Sequence, residues 1–126
     1  MLDGDTIELA SGEKVRYHGI DAPESGKKWS TRAYEMNRDL VEGKSVRIEL
    51  DRVTRDPYGR ILAYIWVGDT MVNEALIREG YAKYYAVKGE AVPKYRDRLM
   101  TAEAEAKQYH RGLWMDMWES NLTTPQ

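Results

Sequence analysis

Ile61-Leu62-Ala63-Tyr64-Ile65-Trp66-Val67 contains no charge and no turn former. An apolar run of this length, rich in β-branched and aromatic residues, predicts a strand buried on both faces and central in its sheet. Upstream, Val46, Ile48 and Leu50 alternate with Arg47 and Glu49, which predicts a half-buried strand, and the polar stretch from Asp51 to Gly59 joins the two. Earlier still, Ile7-Glu8-Leu9, the turn Ser11-Gly12 and Lys14-Val15-Arg16-Tyr17 read as a hairpin, followed by a loop over 19–28. Between these regions Trp29, Ala33, Met36 and Leu40 recur at helical spacing, and Gly43 ends that helix.

Downstream, Gly68-Asp69-Thr70 turns and caps a short helix from Met71 to Glu79, stopped by Gly80. Tyr81 to Val87 is extended. Pro93 opens the longest helix, with Tyr95, Leu99, Ala102, Ala106 and Tyr109 on one face, and Gly112 closes it so that Leu113-Trp114 folds back on the core. The order is three strands, helix, two strands, two helices, with the first strand cut short before Asp3. This is an α+β arrangement, and five strands favour a closed barrel of the oligonucleotide-binding type carrying three helices. Residues 1–118 form that domain and 119–126 a polar C-terminal tail.

The 126 residues suffice for one core, and 42% hydrophobic with 32% charged residues fits a globular chain. No apolar run approaches the roughly 20 residues of a membrane span. Cysteine is absent and there are two histidines, His18 and His110, which excludes thiolate and multi-histidine metal sites. Oxygen ligands remain, so a metal here is calcium or magnesium. The net charge of −2 argues against bulk electrostatic binding to nucleic acid. Residues 26–60 nevertheless carry nine basic against six acidic side chains, a strip able to guide a polyanion.

Three polar segments carry the chemistry: Asp3-Gly4-Asp5-Thr6, Arg16 through Glu24, and Asp56-Pro57-Tyr58-Gly59-Arg60. Asp-Gly is a strong turn signal by itself, but Asp5 lies beyond what the turn demands. Pro23 stiffens the loop that bears Asp21, Ala22 and Glu24, and a stiff loop can hold a carboxylate and a carbonyl at the fixed spacing a metal requires. Taken singly, Arg16 and Arg60 read as a surface strand arginine and a turn edge. Tyr58 and Tyr85 are open between base stacking and plain surface roles. His18 reads as structural or solvated.

Together these segments, with Leu62-Ala63-Tyr64-Ile65 and Met71-Val72-Asn73-Glu74-Ala75-Leu76, resemble the staphylococcal nuclease (thermonuclease) family from Leu2 to Trp114. The resemblance implies a five-stranded oligonucleotide-binding barrel with three helices. It implies calcium held by Asp5, Asp21 and the Ala22 carbonyl, a water oriented or deprotonated by Glu24, and a scissile phosphate on Arg16 and Arg60. It implies a calcium-dependent endonuclease cutting DNA and RNA with little sugar or sequence specificity and leaving 3′-phosphate ends. A monomer preferring single strands is expected, with Tyr58 and Tyr85 as substrate contacts. Relatives are often secreted or periplasmic, although no signal peptide stands in this chain. Departures are Pro57 in place of a phosphate-holding lysine, Ala86 and Lys88 at the register of two pocket tyrosines, and a shorter loop after Glu24. The rival is a non-catalytic nuclease-like module that binds nucleic acid, which would be expected to have lost one or more of the five charged residues.

Overall fold

The computed structural model describes residues 3–86 and 91–115. The elements run β1 (Thr6–Glu8), β2 (Lys14–Tyr17), β3 (Ile20–Asp21), α1 (Ser30–Val41), β4 (Arg47–Arg55), β5 (Ile61–Val67), β6 (Thr70–Met71), α2 (Val72–Arg78), β7 (Lys83–Tyr84) and α3 (Arg96–Gln108). A further helical turn covers 113–115. The fold is α+β. β5 is central as its composition requires, parallel to β2 and antiparallel to β4 and β6. The five-stranded sheet runs β1-β2-β5-β4 with β6 beside β5, and β3 pairs with β7 in a small second sheet.

Several expectations need correction. The loop over 19–28 contains β3, and Thr70 belongs to β6 rather than capping a helix; Met71 stands at the start of α2 without a side-chain cap. Pieces of two residues are too short for any periodicity to announce. The connection from Asp51 is strand as far as Arg55, with an irregularity in register between Leu50 and Arg55. The helical turn at 113–115 makes a fourth helix where three were expected. β1 and β4 are the two ends of the sheet order among the described residues.

The burial of β4 differs from that expected at Ile48 and Leu50. Ile48 and Leu50 lie opposite Ile65 and Ala63, which are fully buried, yet they are 36% and 51% exposed. No described strand lies beyond β4 to cover them. Glu49 and Asp51 project from the other face and are the better covered pair. Tyr95 Oη donates to Glu49 at 2.8 Å, Trp66 Nε1 at 2.9 Å and Lys94 Nζ at 2.6 Å. Asp51 accepts Tyr64 Oη and the Lys94 amide, each at 2.7 Å. Burial raises the pKa of both carboxylates, but these donors outweigh it and hold them below the usual range. The start of α3 is thereby fastened to the sheet.

The core joins Val15, Tyr17, Ile20, Ala63 and Ile65 to Val72, Leu76 and Ile77 of α2 and Leu99 and Ala102 of α3. Tyr109, expected on the buried face of α3, ends the helix and is 59% exposed. Trp114 is buried, and the Leu113 amide donates to Gly80 O at 2.9 Å. A Cβ at Gly80 would stand 2.2 Å from Arg111 O, so two backbones touch there. The 119–126 tail lies outside the described residues.

Two buried asparagines connect these layers. Asn37 of α1 donates to Asp3 O at 3.0 Å and accepts the Tyr17 hydroxyl. Asn73 of α2 accepts the Ile65 amide at 3.0 Å and donates to His18 O at 2.9 Å and Ala63 O at 3.2 Å. Replacing Asn73 by Ala removes the side-chain partner of the Ile65 amide and the His18 carbonyl, while the Ala63 carbonyl keeps the His18 amide at 2.9 Å; each buried unpaired polar group costs about 1–3 kcal/mol. Urea unfolding of Asn73→Ala is expected to show a loss of roughly 2–4 kcal/mol; a loss below about 1 kcal/mol contradicts this role.

Candidate functional site

The turn at Asp3–Asp5 is placed by packing as much as by turn chemistry. A Cβ on Gly4 would come within 2.6 Å of Ala33 Cβ and 3.0 Å of Ala22 Cβ, so the turn nests between α1 and the Asp21–Glu24 loop. Asp5 is thereby set beneath that loop. Its main-chain oxygen accepts the Tyr17 amide at 2.8 Å, its Oδ2 accepts the Ala22 amide at 2.8 Å, and its Oδ1 accepts Thr6 Oγ1 at 3.2 Å. Asp21, on β3, keeps a largely exposed carboxylate.

Arg16 connects the two acids. Its Nη1 donates to Tyr17 O at 2.8 Å, and its Nη2 lies 3.4 Å from Asp5 Oδ2 and 3.3 Å from Asp21 Oδ1. The two carboxylate oxygens are therefore separated by no more than those two distances combined. Asp5 is 6% exposed, and burial pushes its pKa up to about 6 from 3.8 although Arg16 pulls it down. Among the described residues no group of three or more His, Cys, Asp or Glu side chains gathers around a metal-sized space. The carboxylates that Arg16 brings together are thus two, Asp5 and Asp21. A donor set of this kind suits a hard cation whose shell is completed by water and a ligand phosphate. Glu24 is exposed, on the turn closed by the Lys27 amide donating to Glu24 O at 3.0 Å.

Arg16 also lines a cleft of about 360 Å³ together with Arg60, Tyr58, Tyr85, His18 and Pro93. Arg60 is held by Asp56, which accepts its amide at 2.9 Å and its Nε, and the Tyr58 amide at 2.9 Å. Burial works against ionisation of Asp56, but these hydrogen bonds outweigh it and keep the carboxyl below the usual range. Gly59 at φ +81° completes the turn. Tyr58 is 84% exposed, its ring 5.5 Å from the Arg60 guanidinium. Tyr85 is exposed, with its amide donating to Gly19 O at 2.8 Å. Ala86 lines the cleft, while Lys88 lies outside the described residues.

The structure brings Asp5, Asp21 and Arg16 around one point, and Arg16, Arg60, Tyr58 and Tyr85 around one cleft. Asp5, Asp21 and Glu24 do not line that cleft. Asp56 was missed as the residue that aims Arg60; the signal was its place at the head of Asp-Pro-Tyr-Gly, where an Asx turn forms readily. His18 was read as structural, and its Nε2 does sit 3.6 Å from Asp51 with the ring edge-on to Tyr64.

The chain matches the family described as "Staphylococcal nuclease homologue" over residues 14–116. It is similar to the thermonuclease of Staphylococcus intermedius, 35% identical over 125 residues that cover 90% of this chain and 72% of that protein. It is similar to endonuclease YncB of Bacillus subtilis, 37% identical over 123 residues, covering 90% of this chain and 58% of that protein. An uncharacterized endonuclease of Escherichia coli is 37% identical over 122 residues, covering 92% of this chain and 74% of that protein.

Asp5 binds its proton more tightly in the folded chain than when unfolded. The stability this provides is present in full below pH 3.8 and is lost as the pH rises through about 6. In chelator, Asp5→Asn is expected to be the more stable protein at pH 7, by up to about 3 kcal/mol. The advantage should vanish by about pH 4. Urea midpoints at the two pH values check this, and a less stable variant at pH 7 contradicts it.

Proposed function

We propose that this chain, which belongs to the staphylococcal nuclease family, is a calcium-dependent endonuclease. It hydrolyses phosphodiester bonds of DNA and RNA on a barrel of the oligonucleotide-binding type. The observation that carries this reading is the double position of Arg16: one guanidinium nitrogen rests between Asp5 and Asp21, and the same residue lines the cleft that Arg60 enters. A phosphate held there meets cationic donors beside a pair of carboxylates. The relatives named as thermonuclease and endonucleases support the same reaction class.

Asp5, Asp21 and the Ala22 carbonyl would hold the calcium ion. Bound there, calcium supplies positive charge to a phosphate oxygen and offsets the cost of keeping Asp5 ionised in a buried place. Arg16 and Arg60 donate charge-assisted hydrogen bonds to the non-bridging oxygens, whose charge rises as phosphorus gains a fifth oxygen. Asp56 keeps the Arg60 fork aimed at the cleft. Glu24, exposed at the loop tip, orients a water or accepts its proton. Cleavage leaves a 3′-phosphate end. Tyr58 and Tyr85 offer ring faces to unstacked bases, which favours single strands. The chain acts as a monomer.

Denatured DNA with calcium is the direct test. Chelator should abolish cleavage. Arg60→Ala and Glu24→Ala should each lower kcat by about 10²–10⁴-fold. A rate within about threefold of wild type for either variant would mean that these roles are misassigned.

A further inference from the structure

β2 alternates cleanly: Val15 and Tyr17 are fully buried, so Lys14 and Arg16 share its outer face. Strand geometry sets their Cα atoms about 6.6 Å apart, close to the step between neighbouring phosphates of an extended single strand. β2 and β5 run parallel with Val15 beside Ile61. Carried back one residue, that register puts Lys14 beside Arg60. Lys14, Arg16 and Arg60 thus form one triangle of cations.

An open groove of about 400 Å³ lies at this corner, lined by Ser11, Gly12, Glu13, Lys14, Tyr58, Gly59 and Arg60. It shares Tyr58 and Arg60 with the cleft, so the exposed Tyr58 ring stands as a ridge between the two. Two of its walls are bare backbone. Gly12 and Gly59 have φ of +91° and +81°, with nothing within 4 Å of where a Cβ would stand. A nucleotide backbone can approach such turns closely.

The charges are distributed unevenly. Arg16, Arg55 and Arg60 each have a carboxylate within 4 Å, namely Asp21, Glu13 and Asp56. Lys14 is exposed and, among the described residues, joins no ion pair. Glu13 is taken up by Arg55 at 3.1 Å, and Glu8 stands across from Lys14 in the β1–β2 register. The uncommitted positive charge in the groove is therefore that of Lys14.

Resting on the nuclease reading above, we propose that this groove is a subsite for the phosphate next to the scissile one, with Lys14 as its cation and Tyr58 as the divide. A phosphodiester gripped by Arg16 and Arg60 has nucleotides on both sides; the Tyr85 side of the cleft receives one, and the groove receives the other.

A dinucleotide lacks the neighbouring phosphate and a long oligothymidylate has it, so the two substrates separate the subsite from the chemistry. In Lys14→Glu, the ratio of kcat/KM for the long substrate to that for the dinucleotide should fall roughly fivefold or more. The slope of log KM against log salt for the long substrate should flatten by about 0.7, the loss of one phosphate contact. Glu8→Gln should shift the ratio in the opposite direction. Lys14→Gln, a milder change, should give an intermediate ratio, and thermal melts verify that each variant is folded. A ratio within about twofold of wild type, with the salt slope unaltered, overturns the subsite while leaving the nuclease reading intact. Wild-type protein that cuts neither substrate overturns the nuclease reading and the subsite with it.

Discussion

One guanidinium group organises this molecule. Arg16 leaves β2 with its Nη1 tied to the Tyr17 carbonyl and its Nη2 shared by Asp5 and Asp21. Asp5 is buried, and burial favours its neutral form, so its charge there depends on a cation close by. Arg16 supplies part of that compensation, and the raised pKa of Asp5 shows that part of the cost is left over. In the function proposed above, a hard cation bound beside Asp5 would favour the ionised form that folding alone disfavours. The same residue lines the cleft, so the carboxylate pair and the cleft share a wall.

Everything that fixes Arg16 and Asp5 is built from backbone contacts and buried polar groups. Gly4 lets the first turn lie against Ala33 and Ala22. Asn37 clamps Asp3 to α1, and Asn73 ties the end of β2 to β5 through the His18 and Ala63 carbonyls. Asp56 orients Arg60 from a five-residue turn. A change in any of these alters the spacing among Asp5, Arg16 and Arg60. Small misplacements of this sort weigh heavily on catalysis, since the aligned geometry is itself much of the rate. The other face of the sheet is governed by a different group of contacts, with Glu49 and Asp51 fastening Lys94 and Tyr95 at the head of α3.

Where local periodicity is strong, the sequence and the fold agree. The hairpin, the central strand and the three main helices could all be read from spacing, and Asp5, Arg16 and Asp21 do converge. Where long-range contacts decide, spacing misleads. Val46, Ile48 and Leu50 alternate like a half-buried strand, yet only Val46 packs against the core; no described strand lies beyond β4, and Ile48 and Leu50 are exposed. The strands β3 and β7 are two residues each, below any detectable period. Asn37 and Asn73 look like ordinary polar helix residues until their backbone partners are seen. Asp56 belonged to a motif already recognised, yet its role required knowing that its carboxylate folds back onto Arg60. Gly4 looked like turn chemistry and is equally a packing requirement.

Calorimetric titration of calcium, with and without a nucleoside 3′,5′-diphosphate, bears most directly on the shared-wall arrangement around Arg16. The account predicts that each ligand tightens the other, since linkage is reciprocal. It also predicts that Asp21→Asn removes calcium binding while leaving the nucleotide only its weak, metal-free affinity. Nucleotide binding that is indifferent to calcium in the wild-type protein would contradict it.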